Sequence, residues 1–257
     1  MRRRVQILSA MAANLPALSF LRCCPYPFLH CHACPLAIGA CPVGVLQHFV
    51  ILRRLPLYLV GAGAAVAALW GRASCAFLCP FGLLQEWLRE LGDRLGLAEL
   101  PISNRATWTR WIVLAVLVLG LPVLLREPWF CKLCPNGTLL AGIPLVITDP
   151  GLRSLAGTMF LAKVGLLAAV IGLALVAKRP FCRFACPFGA LLGLGNRAAL
   201  FHLEVDRERC TGCDECRDRC PMDLTLPGGA GSPGCIQCRQ CTVCPAVRAV
   251  RGWKRPD

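Results

Sequence analysis

The sequence predicts an all-α polytopic membrane protein, four transmembrane helices in an internal tandem repeat, followed by a small C-terminal α+β domain. Three observations predict it. Of 257 residues 56% are hydrophobic, more than a soluble chain of this size carries, and the excess falls in blocks that approach the length of a bilayer span. Nineteen cysteines fall mostly in Cys-x2-Cys or Cys-x3-Cys pairs, many followed by proline, and one order of pairs and apolar runs occurs twice. After residue 196 the long apolar runs stop and the chain becomes charged and rich in Cys, Gly and Pro. The expected division is a membrane part, residues 1–196, with pseudo-repeats at about 22–110 and 126–196, and a C-terminal domain, residues 197–257.

In chain order, residues 5–21 form the first apolar run and read as a signal anchor, with a cleaved signal peptide as the alternative. A loop dense in thiols and prolines follows, with Cys23, Cys24, Cys31, Cys34 and Cys41. The second span, residues 55–70, is rich in Gly and Ala and leads to Cys75-Ala-Phe-Leu-Cys79-Pro80-Phe81-Gly82. Beyond it Leu83, Leu84, Trp87, Leu88, Leu91 and Leu95 recur at helical spacing among Glu86, Arg89, Glu90, Asp93 and Arg94, an amphipathic helix lying on the membrane or on the protein. The third span, residues 111–125, contains Pro122 and leads to Cys131-Lys-Leu-Cys134-Pro135; residues 139–147 are too short to cross and read as re-entrant or interfacial. The fourth, residues 155–177, carries Lys163, expected to snorkel toward the interface, and leads through Lys178 and Arg179 to Cys182-Arg-Phe-Ala-Cys186-Pro187-Phe188-Gly189.

The net charge of +14 is a topology signal, because Lys and Arg flank the apolar runs and no nucleic-acid motif accompanies them. Arg2, Arg3 and Arg4 place the N-terminus in the cytoplasm, and four spans return the C-terminus there, in a multi-pass protein of the cell inner membrane.

A Cys-x3-Cys spacing sets two sulfurs on one face of a helical turn, and the following proline ends that turn. Under pseudo-two-fold packing Cys75, Cys79, Cys182 and Cys186 converge at the inner face, and Cys31, Cys34, Cys131 and Cys134 at the outer. Four thiolates are what a [4Fe–4S] cluster takes. For the outer four, disulfide pairing in an oxidising compartment is the alternative, with Cys23, Cys24 and Cys41 as further partners. The C-terminal run Cys210-x2-Cys213-x2-Cys216-x3-Cys220-Pro221 has bacterial [4Fe–4S] ferredoxin spacing, too compact for paired zinc knuckles. A second run, Cys235-x2-Cys238-x2-Cys241-x2-Cys244-Pro245, is one residue shorter in its last gap. The fourth cysteine of each run in such domains serves the other cluster. Cys210, Cys213, Cys216 and Cys244 then hold one cluster and Cys235, Cys238, Cys241 and Cys220 the other. No catalytic constellation is present, and His30, His32, His48 and His202 read as ordinary packed or solvated side chains.

These motifs resemble the NapH/NosR/MauN group of membrane-bound ferredoxin-type (polyferredoxin) proteins. The resemblance rests on His30-Cys31-His-Ala-Cys34-Pro35, Gly39-Ala-Cys41-Pro42-Val-Gly44, Gly71-Arg72 before Cys75, Phe130-Cys131 to Gly137, and Cys186-Pro-Phe-Gly189 ahead of the tandem runs. It implies a four-span electron-transfer subunit, itself non-catalytic, that passes electrons through [4Fe–4S] clusters between the quinone pool or a soluble donor and a redox partner protein. Two other readings stay open: a cofactor-assembly, maturation or redox-sensing factor, and an extracytoplasmic-side reductase of a metal or a disulfide working through Cys31, Cys34 and Cys41.

Overall fold

The computed structural model describes residues 2–15 and 24–252. Cys23 and most of the second half of the first apolar run lie outside them. The first helix, α1 (Arg2–Ala13), is tied at its start to α5 by ion pairs from Arg2 to Glu86 and from Arg3 to Glu90. There follow α2 (Pro42–Ile51), α3 (Leu57–Trp70), α4 (Ala73–Phe77), α5 (Pro80–Arg94), α6 (Asn104–Leu125), α7 (Trp129–Leu133), α8 (Pro135–Thr148), α9 (Pro150–Ser154), α10 (Thr158–Val176), α11 (Pro180–Phe184) and α12 (Pro187–Gly195). The sheet is two-stranded: β1 (Phe201–Val205) runs antiparallel to β2 (Val247–Arg251), with Phe201 opposite Arg251 and Val205 opposite Val247.

The four-helix membrane architecture is corrected by these elements. Among the described residues two helices are long and apolar enough to cross a membrane, α6 with 22 residues and α10 with 19. The run at residues 55–70 begins its helix only after Pro56 and yields the 14 residues of α3, about 21 Å at 1.5 Å per residue against a hydrocarbon core of about 30 Å. The described part of the first run lies in a helix of 12 residues that opens with three arginines. The remaining two are not core helices of a soluble fold, since only 22% of the apolar window in α6 and 11% of that in α10 is buried by protein.

Inside α6 the stretch Val113–Gly120 is wound as a π-helix ahead of Pro122, so the helix passes the missing donor without breaking. The expected amphipathic helix forms as α5: Leu83, Gln85, Glu86 and Arg89 are buried while Trp87, Leu91, Asp93, Arg94 and Leu95 are exposed. Glu86 turns inward because it has charged partners there, Arg2 and Arg179. The apolar core gathers Phe28, Leu29, Val43, Phe81, Leu114, Val118, Phe130, Phe181 and Phe188 around the cysteine-bearing helix starts.

One local device recurs four times. Cys41, Cys79, Cys134 and Cys186 each stand in extended conformation, with ψ of 121°, 113°, 117° and 108°, directly before a proline that opens a helix. Proline suits that first helical position because its fixed φ fits and its missing N–H would be unpaired anyway. In all four the third residue after the cysteine is glycine: Gly44, Gly82, Gly137 and Gly189.

Candidate metal centres

The first group is built by two such caps and two short helices. Cys75 lies on α4, Cys79 caps α5, Cys182 lies on α11 and Cys186 caps α12; the last three are buried and Cys75 half-buried. Cys75 and Cys182 neighbour each other and both Cys79 and Cys186. Burial, then Cys182 and Cys75, push Cys79 up to about 12, and burial, Cys182 and Cys75 raise Cys186 likewise. Donors face the sulfurs: Gln85 Nε2 donates to Cys182 Sγ at 3.2 Å and the Gly189 N–H to Cys186 Sγ at 3.3 Å. Such bonds hold a sulfur in its thiolate form and tune a bound cluster.

Two arginines lock the group by exchange. Arg72, three residues before Cys75, donates through Nη2 to the Cys182 carbonyl at 3.3 Å. Arg179, three residues before Cys182, donates through Nη1 to the Cys75 carbonyl at 3.3 Å. Each guanidinium packs on the cap glycine of the opposite half: a Cβ on Gly189 would lie 2.6 Å from Arg72 Nη2, and one on Gly82 3.0 Å from Arg179 Nη1. Both side chains are fully enclosed, so their positive charge acts on the sulfurs at low dielectric.

The two C-terminal runs wrap alike. Gly212 and Asp214 in the first, and Gln237 and Arg239 in the second, adopt positive φ on either side of the second cysteine of their run. Alternating left-handed residues turn successive backbone N–H groups to one side, a concave nest for an anion. The structure brings Cys220 beside Cys235, Cys238 and Cys241, and Cys244 beside Cys216, with Cys213 next to Cys216. Cys213 is exposed and Cys210 half-buried. Burial first, then Cys238, Cys235 and Cys220, raise Cys241 to about 12.

The second run is seated directly on the first group. Ala76, Cys182, Met222 and Ile236 form one buried patch against which Cys75, Cys220 and Cys238 pack. Arg179 lies within the fields of Cys182, Cys79 and Cys238 together. Hydrogen bonds fix the seat: Arg72 Nη1 donates to the Pro233 carbonyl at 2.9 Å, and Asn196 Nδ2 to the Ser232 and Cys235 carbonyls at 2.8 and 2.6 Å. The buried Arg183 meets Asp223 at 3.2 Å.

The remaining thiols gather around Cys31, on which Cys34 acts as well. Cys131 and Cys134 lie with Cys31 and with Cys41. Cys34 points its sulfur toward Asn14 Oδ1 at 3.7 Å. The positive charge of Lys163 on α10 works weakly against the rise that burial gives Cys31 and Cys131.

Among the described residues no three His, Cys, Asp or Glu side chains converge closely enough to hold a single metal ion. A cluster that takes one thiolate per iron draws its ligands from a wider ring. The soft donors Cys75, Cys79, Cys182 and Cys186, faced by N–H groups and arginines, fit such a cluster better than a mononuclear site. The sequence marks Arg72 and Arg179 only as flanking the cysteine motifs, and it does not show their bonds or those of Gln47 and Gln85, whose partners in the facing cysteine pairs lie 84 to 110 residues away. The cap glycine was visible and marked which cysteines act alike.

A family model described as a 4Fe-4S binding domain matches residues 55–97, 107–144 and 159–205. An uncharacterized protein of Methanocaldococcus jannaschii, MJ0749, is 28% identical over 203 residues, 76% of this chain and 70% of that one. The regulatory protein NosR of Stutzerimonas stutzeri is 29% identical over 65% of this chain but only 22% of its own length. The ferredoxin-type protein NapH of Haemophilus influenzae is 28% identical over 68% of this chain and 58% of its own length. No solved structure matches. The protein is membrane-associated, carries [4Fe–4S] clusters and has an iron–sulfur electron-transfer role. With its repeated cysteine caps and these relatives, the chain belongs to the ferredoxin-type (polyferredoxin) 4Fe-4S protein family that includes NapH, NosR and MauN.

Proposed function

We propose that the chain is an electron conduit in which two clusters of the C-terminal segment exchange electrons with a third at the junction with the membrane part. Cys210, Cys213, Cys216 and Cys244 hold the first, Cys220, Cys235, Cys238 and Cys241 the second, and Cys75, Cys79, Cys182 and Cys186 the third. The observation that carries the reading is the buried patch in which Cys75 and Cys182 meet Cys220 and Cys238. Donors of two sites in one dry contact leave a short path between them.

Each cluster supplies reversible one-electron transfer without proton or bond rearrangement. The chain's residues do the rest. Gln85 and the Gly189 N–H donate to sulfur, Arg72 and Arg179 offset the negative charge of the junction, and Phe81 and Phe181, in edge contact at 5.3 Å, exclude water. The exposed Cys213 places the first cluster where a soluble redox partner reaches it. A quinone is the alternative partner: an apolar cleft of about 920 Å³ beside the junction is lined by Trp70, Phe77, Leu78, Phe188 and Leu191. Two spans return the chain to its starting side, and Arg2 to Arg4 make that side the cytoplasm.

The test is anaerobic iron and sulfide analysis with EPR on detergent-purified protein, comparing wild type with Cys182→Ala. The variant is expected to lose about four irons per chain while the two C-terminal clusters keep their signals. Unchanged iron content in Cys182→Ala overturns the third cluster, and a wild type without iron overturns the whole reading.

A further inference from the structure

We infer that Cys31, Cys41, Cys131 and Cys134 form a fourth cluster site, at the far end of α10 from Cys182, with Lys163 as its counter-charge and Cys34 outside it. The inference rests on the proposed electron-transfer reading and deepens it, for a site at the other end of a membrane helix gives the conduit a second terminus.

The donor set is assembled from four segments that the fold pins together. Asn136 Nδ2 donates to the Leu29 carbonyl at 3.1 Å, binding the Cys31 loop to the Cys134 cap. Gln47 Oε1 accepts the Cys131 N–H at 3.2 Å while its Nε2 donates to the Leu117 carbonyl at 2.9 Å, binding α2, and with it Cys41, to α7 and α6. At Gly137 an added Cβ would stand 3.6 Å from Cys31 Sγ and 3.7 Å from Cys134 Cβ, so the cap glycine is the floor of the group. Cys41 and Cys134 are buried, and Cys31 and Cys131 half-buried.

The arrangement repeats that of the junction site. Cys41 and Cys134 cap α2 and α8 as Cys79 and Cys186 cap α5 and α12. Gln47 stands six residues after Cys41, as Gln85 stands six after Cys79, and each accepts a backbone N–H at the start of the facing cysteine pair: Gln47 that of Cys131, Gln85 that of Phe181. Cys34, although followed by Pro35, has Ala37 where the four caps carry glycine, and it opens no helix. Lys163, half-buried on an otherwise apolar span, puts a positive charge within reach of Cys31 and Cys131, and a charge inside such a span marks a functional site. From Lys163 to Ala177 the helix covers roughly 20 Å at 1.5 Å per residue.

Iron content and thiol state read the inference directly, on full-length protein purified anaerobically in detergent. Wild type is expected to carry about sixteen irons per chain, four clusters of four. Cys41→Ser is expected to lose about four of them and Cys34→Ser none, with the C-terminal EPR signals intact in both. Lys163→Met is expected to keep the iron and to lower the midpoint potential of one cluster alone. A wild type with about twelve irons, or a disulfide found among these four cysteines in iron-replete protein, overturns the fourth site and leaves the three-cluster conduit standing. Loss of iron in Cys34→Ser with retention in Cys41→Ser overturns the ligand assignment. Where Cys41→Ser fails to accumulate, Cys131→Ser and Cys134→Ala are read the same way. No iron at all sinks the conduit and this site together.

Discussion

Gly189 and Gly82 are equivalent in sequence and meet equivalent arginines, yet they are not equally tolerant. A methyl at Gly189 intrudes to 2.6 Å on Arg72 Nη2, whereas at Gly82 it reaches Arg179 Nη1 at 3.0 Å. A long side chain usually yields to such a contact. Arg72 has no room to do so, since it is wholly buried and its guanidinium is held by the carbonyls of Cys182, Pro233 and Gly234. Gly189→Ala should therefore cost about 1–3 kcal/mol, the range for overpacking a filled core, and Gly82→Ala less. Thermal unfolding of the two variants side by side checks this, and equal losses would refute the ordering. At this scale the sequence was partly legible. Each cap cysteine announces itself through proline and glycine, and that same signature separates Cys41 from Cys34, where pair spacing alone favours Cys34. The bonds of Arg72, Arg179 and Gln85 were not legible, because a side chain that serves a motif about a hundred residues away leaves no local pattern.

Helix length decides what each element can do. Hydropathy marked four runs, and among the described residues two became helices of spanning length, while the run at 55–70 begins its helix only after Pro56. Hydropathy counts apolar residues but not the proline at 56, which withholds the start of α3, nor the ion pairs that fasten Arg2 and Arg3 to α5. Periodicity likewise found α5 but not which side it packs by, since a moment gives the contrast between two faces without saying which is inward. The spanning role of α10 is testable at Leu166, near its middle and 40% exposed. An arginine there should cost about 2.5–3.5 kcal/mol of insertion, seen as protein released from membranes by alkaline carbonate. Leu57→Arg, at the exposed start of α3 and close to Arg53 and Arg54, should leave the membrane fraction unchanged. Release by Leu57→Arg and retention by Leu166→Arg would reverse the assignment.

Across the whole molecule the question is what keeps the C-terminal segment seated on the helices, since the conduit depends on that contact. The apolar patch around Met222 and Ile236 gives area, but direction comes from Arg183, whose Nη2 reaches Asp223 Oδ2 at 3.2 Å, the Ile102 carbonyl at 2.9 Å and Asn104 Oδ1 at 2.8 Å. Asp223 is the one anion in that set, and it accepts from Arg217 Nε at 2.9 Å besides. Burial pulls the Arg183 pKa down and Asp223 only partly restores it, so the cation depends on its carboxylate. Asp223→Ala strands a buried guanidinium, a change that typically costs about 3–5 kcal/mol. The remaining carbonyls place the expected value near about 3 kcal/mol, roughly a hundredfold in the opening equilibrium. Hydrogen exchange should accelerate by that factor in Phe201–Val205 and Val247–Arg251 and stay unchanged in Thr158–Val176. Magnetic coupling between the junction cluster and its C-terminal neighbour should weaken in the same variant while total iron is retained. Unchanged exchange and coupling in Asp223→Ala would mean that the apolar patch alone seats the segment, and the ion pair would then have no part in aligning the conduit.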